Sequence, residues 1–304
     1  MVEGGSSIGK KFKLSDLVIG LTIVSFGTSL PELLVNLVAS FSGSSELAVG
    51  NVLGSNVANV LLILGVSALI CPLPINRNTY FSEIPFSLIA TLLVGFLANA
   101  NLEIDYTDEV HGLYISRFDG YVLLFFFLLF LGYIYIVAKQ GNGSSMEAEN
   151  VSEQPWTKSV GYIVLGMIGL YFGGQWVVEG AITVAKQFDM SETFIGLTVV
   201  AIGTSLPELV TSVIAAIRKN TDIAVGNAIG SNIFNLLWIL GISAVIKPLE
   251  FYIISNMDLF MIIIASTMLI LAVIIGKRPI ISRWEGFWFV LAYVLYMIFL
   301  VNRG

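Results

Sequence analysis

Charge, sulfur and imidazole are scarce in this sequence of 304 residues. Charged residues make up only 12% of it, whereas a soluble domain carries about a quarter. The single cysteine excludes an intrachain disulfide and a cysteine-based metal cluster. The single histidine, His111, lies in a polar, acidic stretch and is expected to be a solvated loop residue. The sequence has no basic tract, so nucleic acid is not an expected partner.

Apolar residues are abundant instead, at 56% of the chain, with a mean hydropathy of +0.88. Windows of about 20 mostly apolar residues recur, and a helix of that length crosses a bilayer. They predict an all-α polytopic membrane protein. The nine predicted spans cover residues 15–41, 47–70, 82–100, 119–138, 158–186, 192–217, 222–246, 256–276 and 284–302.

Two motifs recur in one ungapped register. GTSLPEL begins at Gly27 and again at Gly203, 176 residues later. AVGN, followed by GSN, begins at Ala48 and again at Ala224, also 176 residues later. Internal repeats of this kind are a frequent feature of secondary transporters.

The repeats predict two halves, a first α-repeat half at 1–138 and a second at 158–304, joined by a polar linker at 139–157. Because Pro31 and Pro207 are separated by five predicted spans, an odd number, the halves should be inverted relative to each other. Lysine and arginine favour one side by eleven to four, which predicts a cytoplasmic linker and an external C-terminus.

Each GTSLPEL motif carries a proline inside a predicted span. Pro31 has no N–H, so the carbonyl of Gly27 loses its helical partner, and Pro207 does the same to Gly203. In lipid, an orphan carbonyl costs several kcal/mol unless it faces protein or a hydrated cavity. We predict a local helix break whose freed carbonyls could bind a hard cation.

The same motif carries the only acidic residues that we place near mid-span, Glu32 and Glu208. A charge at the bilayer centre costs about 2.5–3.5 kcal/mol even on the lenient insertion scale. Equivalent positions of an inverted repeat should meet near the midplane. Two facing carboxylates repel each other, so a proton or a cation is required between them.

Polar residues continue from these glutamates at helical spacing, which predicts four stripes around one cavity. The stripes are Thr28, Glu32, Asn36; Thr204, Glu208, Ser212; Asn51, Ser55, Asn59; and Asn227, Ser231, Asn235. All their donors are oxygen, which suits Na⁺, Ca²⁺ or Mg²⁺ rather than zinc or copper. The alternative is structural: Ser, Thr and Asn often bridge neighbouring helices, and glycines such as Gly50 and Gly226 allow close packing.

The two GTSLPEL motifs, each followed by a GNxxGSN motif, resemble the α-repeats of the sodium/calcium exchanger branch of the cation/calcium antiporter superfamily. The resemblance implies ten spans in two inverted five-helix halves, with the first span missing here. It implies exchange of Ca²⁺ for Na⁺ by alternating access across the plasma (inner) membrane of a prokaryote. It also implies ion-ligand roles for Glu32, Glu208, Thr28, Thr204, Ser29, Ser205, Ser55, Ser231, Asn59, Asn235, Ser25 and Ala201.

One of the positions matching Asn59 and Asn235 is commonly aspartate in the family, whereas both are asparagine here. The site therefore has a formal charge of −2 from its two glutamates. That charge balances one Ca²⁺ or two Na⁺.

The residues leave other functions open. A Ca²⁺/H⁺ antiporter, in which a glutamate carries the proton, is the close alternative. A cation channel is disfavoured because no symmetric pore ring or filter loop is apparent. An enzyme is not expected, since no pair of nucleophile and base is apparent in the spans. We expect a monomer in the lipid bilayer with Ca²⁺ and Na⁺ as substrates and no cofactor.

The repeat register also leaves the first half without its first span. Val2-Glu3-Gly4 aligns with Val178-Glu179-Gly180, which close the predicted span 158–186. We expect the complete reading frame to encode an upstream apolar segment resembling Val160–Val177. Sequencing the genomic region before Met1 tests this, and an in-frame stop codon without such a segment would contradict it.

Overall fold

The computed structural model describes residues 2–12, 14–76, 79–100, 112–139, 154–187, 201–275 and 279–303. Nearly all of these residues are helical. The helices are α1 (Val2–Phe12), α2 (Asp16–Thr28), α3 (Leu30–Ser42), α4 (Ser45–Ile70), α5 (Thr79–Ala100), α6 (Arg117–Lys139), α7 (Trp156–Gln187), α8 (Ala201–Thr204), α9 (Leu206–Ile217), α10 (Thr221–Ile246), α11 (Ser255–Ile275) and α12 (Arg283–Arg303). The short strands are β1 (Leu73–Pro74), β2 (Leu113–Ile115), β3 (Leu249–Phe251) and β4 (Ile280–Ile281).

Membrane-length apolar helices dominate the fold. Six described helices, α4, α5, α6, α10, α11 and α12, are long and apolar enough to cross a bilayer, and the bent pair α2 and α3 is a seventh candidate. The predicted span 158–186 corresponds to α7, and the predicted span 192–217 ends in α9, with residues 192–200 outside the described part. The all-α membrane class is confirmed, whereas the count of nine spans out of ten stays a prediction.

Both GTSLPEL motifs interrupt their helices. Ser29 has φ −84° and ψ 5° between α2 and α3, and Ser205 has φ −86° and ψ 4° between α8 and α9. These angles lie outside the α region. Pro31 and Pro207 then stand in the first turn of the next helix, where no backbone donor is needed. The predicted break is confirmed in both motifs, and it bends α2 against α3 by 44°.

The backbone follows the 176-residue register of the sequence. A wider π-helical segment interrupts α4 at Ala58–Ile63, and a second interrupts α10 at Phe234–Ile239, 176 residues later. Such insertions are frequent at functional sites, because they turn side chains away from the regular helical face. The predicted linker, 139–157, lies mostly outside the described residues.

The halves are interlocked through their ends. Strand β1 pairs antiparallel with β4, and β2 pairs antiparallel with β3, so each small sheet takes one strand from each half. The last helix of each half likewise packs on the other half. Helix α6 packs on the C-terminal part of α10, and α12 packs on the C-terminal part of α4. Neither half therefore covers its own core.

Two glycine pairs allow these exchanged helices to approach closely. A Cβ added at Gly120 of α6 would lie 2.8 Å from the carbonyl oxygen of Gly241 in α10. A Cβ added at Gly286 of α12 would lie 2.8 Å from the carbonyl oxygen of Gly65 in α4. Because backbone atoms oppose the new carbon in both cases, the helices would have to separate to accept any side chain.

We expect Gly120→Ala to destabilise the fold by about 1–3 kcal/mol through this overpacking. Gly132, on the same helix, is exposed and has no described atom within 4 Å of an added Cβ. Gly132→Ala should be neutral or stabilise by up to about 1 kcal/mol, since alanine is the better helix former. Thermal unfolding in detergent measures the difference in stability between the two variants. Equal melting temperatures would contradict the close approach of α6 to α10 at Gly120.

Candidate cation site

The two mid-span glutamates stand directly after the helix breaks. Glu32 lies in the first turn of α3 and Glu208 in the first turn of α9, and each is only 1% exposed. The first turn of a helix presents unpaired N–H groups and the positive end of the helix dipole, which favours a carboxylate. The two motifs meet in the structure, because the hydroxyl of Ser29, three residues before Glu32, donates to Oε1 of Glu208.

A pair of asparagines holds the glutamate backbones in place. The side-chain amide of Asn51 donates to the backbone carbonyl of Glu32 at 3.4 Å, and its Oδ1 accepts from the Thr204 hydroxyl of the other half at 3.1 Å. Asn227 repeats this arrangement, donating to the carbonyl of Glu208 at 3.2 Å and accepting from Thr28 at 3.1 Å. Each motif is thus fastened to the opposite half by one hydroxyl–amide bond.

These asparagines also satisfy the remaining members of their stripes. Asn51 donates to Oδ1 of Asn36 at 2.7 Å, and Asn227 donates to the Ser212 hydroxyl at 2.9 Å. Bridging between helices, the structural alternative given above, therefore accounts for four of the stripe residues without an ion. They are Asn36, Ser212, Asn51 and Asn227. The hydroxyls of Thr28 and Thr204 act as donors in this frame.

The carboxylate groups of Glu32 and Glu208, unlike their backbones, accept few hydrogen bonds. Oε1 of Glu208 accepts one hydrogen bond, from the Ser29 hydroxyl of the first half at 3.1 Å. Oε2 of Glu208 and both carboxylate oxygens of Glu32 have no hydrogen-bond partner among the described residues. Ser205, which matches Ser29, makes no such bond, so the two halves differ here.

The π-helical segments bring two asparagines to the helices that carry the glutamates of the opposite half. Asn59 lies in the segment of α4 that packs against α9, the helix of Glu208. Asn235 lies in the segment of α10 that packs against α3, the helix of Glu32. Both asparagines are fully buried.

Buried oxygen atoms without a hydrogen-bond partner among the described residues are concentrated in these elements. Nearest the two motifs they are Oε1 and Oε2 of Glu32, Oε2 of Glu208, Oγ of Ser55, Ser205 and Ser231, and Oδ1 of Asn59, Asn232 and Asn235; Oγ of Ser40, Ser67 and Ser243, further along the same helices, is also unpaired. A buried polar atom left unpaired costs about 1–3 kcal/mol, and more if it is charged. So many in one region of a folded chain indicate that something other than protein completes their coordination.

Two of the residues given ligand roles differ from the rest. The Ser25 hydroxyl donates to the carbonyl oxygen of Gly20 at 2.7 Å and lies 3.1 Å from that of Asn227, so it fastens α2 to α10. A Cβ at Gly230 would lie 2.3 Å from this hydroxyl, which explains the glycine of the GSN motif there. Ala201, the matching residue, begins α8 and offers only backbone atoms.

Two further buried asparagines, Asn56 and Asn232, are 0% and 1% exposed and are not among the predicted site residues. Both are the last letter of a GNxxGSN motif, so the repeat itself was the available signal. Each directly follows a stripe residue, Ser55 or Ser231, and neighbouring residues of a helix lie on different faces. Neither therefore belongs to a predicted polar stripe.

The donor set has little formal charge. No group of three or more His, Cys, Asp or Glu side chains that could hold a metal occurs in the described ranges. Two carboxylates with surrounding amide and hydroxyl oxygens suit a hard cation such as Ca²⁺ or Na⁺ and not a transition metal.

Two buried glutamates accompanied by neutral oxygen donors among membrane-length helices are typical of a cation transporter. The chain belongs to the sodium/calcium exchanger family, whose sequence profile matches residues 1–136 and 158–302. The sodium/calcium exchanger MaX1 of Methanosarcina acetivorans is 33% identical over 98% of this chain and 93% of its own. The inner membrane protein YrbG of Escherichia coli is 38% identical over 82% of this chain and 75% of its own.

The same relationship is seen in solved structures. The sodium-calcium exchanger NCX_Mj, soaked with 2.5 mM Na⁺ and 0.1 mM Ca²⁺, superposes with a TM-score of 0.77 at 32% identity. The match covers 98% of this chain and 91% of that chain. The family resemblance of the repeated motifs is thereby confirmed.

We expect Glu32→Gln and Glu208→Gln each to reduce Ca²⁺ exchange to background, because each removes half of the site's charge. Ca²⁺ uptake into proteoliposomes measures this, with Glu46→Gln at an exposed position as the control. In buffer free of Na⁺ and Ca²⁺, either site variant should melt no lower than the parent, since one of two repelling buried carboxylates is gone. Near-normal uptake by either site variant would refute the site.

Proposed function

We propose that this protein is a secondary active transporter that exchanges Ca²⁺ for Na⁺ by alternating access. The observation that carries the proposal is the pair of buried carboxylates, Glu32 and Glu208, with three of their four oxygens unpaired within the described residues. A membrane protein keeps such charges only where a cation or a proton neutralises them. Membership of the sodium/calcium exchanger family supports the choice of Ca²⁺ and Na⁺.

The proposed ligands are the carboxylates together with neutral oxygens from both halves. Where a hydroxyl is already committed to the frame, as in Thr28, Thr204 and Ser25, the backbone carbonyl is the proposed donor. The full set is Glu32, Glu208, Thr28, Thr204, Ser29, Ser205, Ser55, Ser231, Asn59, Asn235, Ser25 and Ala201. Its formal charge of −2 balances one Ca²⁺ or two Na⁺, so Ca²⁺ and Na⁺ would compete for the same oxygens.

The proposed architecture places two inverted halves, 1–138 and 158–304, around this site, with the linker 139–157 in the cytoplasm and the C-terminus outside. Nine spans of the family's ten would lie in the inner membrane of a prokaryote, and one chain would suffice for transport. The name of the relative YrbG, an inner membrane protein, agrees with that location.

Helix α7 is the proposed moving part. It packs against α1 and against both broken helices. A cavity of about 250 Å³ beside it is lined by Pro31, Pro207 and Thr204 as well as by Gln175 and Glu179 of α7. A helix in this position can cover or open the site from one side, as alternating access requires.

The counter-ion is tested by imposing one gradient at a time. Purified protein in vesicles should accumulate radioactive Ca²⁺ when Na⁺ is loaded inside and diluted outside, and the uptake should saturate with Ca²⁺. An imposed pH gradient without Na⁺ should drive no more uptake than vesicles with Glu32→Gln. Uptake driven by the pH gradient alone would replace this proposal with the Ca²⁺/H⁺ antiporter, and flux without any counter-ion would indicate a channel.

A further inference from the structure

A chain of amide hydrogen bonds runs behind the site, through a residue that the proposed ligand set does not include. The side-chain amide of Asn56 in α4 faces the backbone carbonyl of Asn232 in α10 at 3.5 Å. Oδ1 of Asn56 accepts a hydrogen bond from the amide of Asn235 at 3.2 Å. The link joins the two halves directly, and all three residues are buried.

The order of donors and acceptors in this chain is fixed by its first member. A backbone carbonyl can only accept, so the NH₂ group of Asn56, and not its oxygen, must face Asn232. Oδ1 of Asn56 must then face Asn235, and only an NH₂ group of Asn235 can satisfy it. Oδ1 of Asn235 is left pointing away from the chain, and it has no partner among the described residues.

The equivalent chain in the other half is not formed. Asn232 and Asn59 are the 176-residue counterparts of Asn56 and Asn235. Neither side-chain atom of Asn232 or of Asn59 has a hydrogen-bond partner in the described part of the molecule. The orientation of one site asparagine is therefore imposed by the protein, whereas that of the other is not.

We propose that Asn56 is a positioning residue that turns the amide of Asn235 so that its oxygen, and not its NH₂ group, faces the transported cation. The inference rests on the proposed function, because it gives Asn235 a role as a neutral oxygen ligand. It makes Asn56 the reason that an amide can serve at a position where the family commonly has aspartate. A cation binds the negative end of the amide dipole, and the opposite orientation would present N–H groups to it.

The proposal predicts that positions 56 and 235 are coupled. With Asn235→Asp alone, the new carboxylate has no N–H to offer to Oδ1 of Asn56, and that oxygen cannot turn away without presenting itself to the carbonyl of Asn232. With Asn56→Ser as well, the serine hydroxyl can donate to the carboxylate. The double variant should therefore bind Ca²⁺ better than Asn235→Asp.

The test is Ca²⁺ titration calorimetry on the purified full chain and on the variants Asn56→Ser, Asn235→Asp and the double variant. Asn56→Ser should weaken Ca²⁺ binding about tenfold, because a hydroxyl can either accept or donate and so no longer fixes which end of the Asn235 amide faces the cation. Asn235→Asp should also bind weakly, and adding Asn56→Ser should restore at least tenfold. A merely structural role of Asn56 would make the double variant the weakest of the three, and that result would overturn the proposal.

A matched control breaks another amide pair. Asn99 of α5 and Asn256 of α11 exchange hydrogen bonds at 2.9 and 3.0 Å near helix ends, where Asn99 is exposed and Asn256 half-buried. Asn99→Ser should bind Ca²⁺ like the parent. Thermal unfolding identifies any variant that fails to fold, and Asn56→Thr, which keeps a hydroxyl, then takes the place of Asn56→Ser in the comparison.

The parent and Glu32→Gln are titrated in the same series. If the parent binds no Ca²⁺, or Glu32→Gln binds it equally well, the proposed function fails. If those two behave as expected while Asn56→Ser binds like the parent and the two substitutions simply add, only the positioning role fails.

Discussion

Two like charges closed between two halves of a membrane protein are the constraint on which the rest of this structure depends. The carboxylates of Glu32 and Glu208 are excluded from water, and most of their oxygens have no partner in the described residues. Such a pair would repel unless a mobile positive charge joined it. The surrounding structure holds the glutamate backbones firmly through Asn51 and Asn227 while leaving the side chains open. In the proposed exchange, a firm frame around an unsatisfied centre would let an ion enter and leave while the hydrogen bonds of the frame stay in place.

The two halves are similar in backbone but not in hydrogen bonding. The break, the π-helical segment and the threonine–asparagine bonds occur twice, whereas the bond from Ser29 to Glu208 and the bond from Asn235 to Asn56 occur once among the described residues. The sequence already contains part of this difference, because Asn36 matches Ser212 and Ser25 matches Ala201. Of the two asparagines proposed as ligands, Asn235 is therefore held by the opposite half and Asn59 is not.

Local chemistry made much of the site predictable. The missing N–H of Pro31 and Pro207 predicted the breaks, and the expense of a mid-span charge predicted that Glu32 and Glu208 would share one environment. The π-helical segments were not predictable, since no residue type signals an inserted i→i+5 turn, and they alter which side chains share a face. Asn56 was missed because it lies one residue beyond Ser55 and therefore off the predicted polar stripe. The crossed strands were also missed: β1 and β4 are too short to show a period of two, and their pairing depends on distant parts of the chain.

The exchange of strands and end helices has a consequence for how the chain is built. Helix α6 and strand β2 are synthesised before α10 and β3, on which they pack, so the first half enters the bilayer with its last helix lacking its main packing partner and held to α5 by contacts such as Tyr133 with Glu83. Gly120 and the backbone edge of β2 then face lipid or water until the second half arrives. Assembly in the membrane is therefore a post-insertion docking step, and quality control during biogenesis would meet a first half that is inserted but not yet closed.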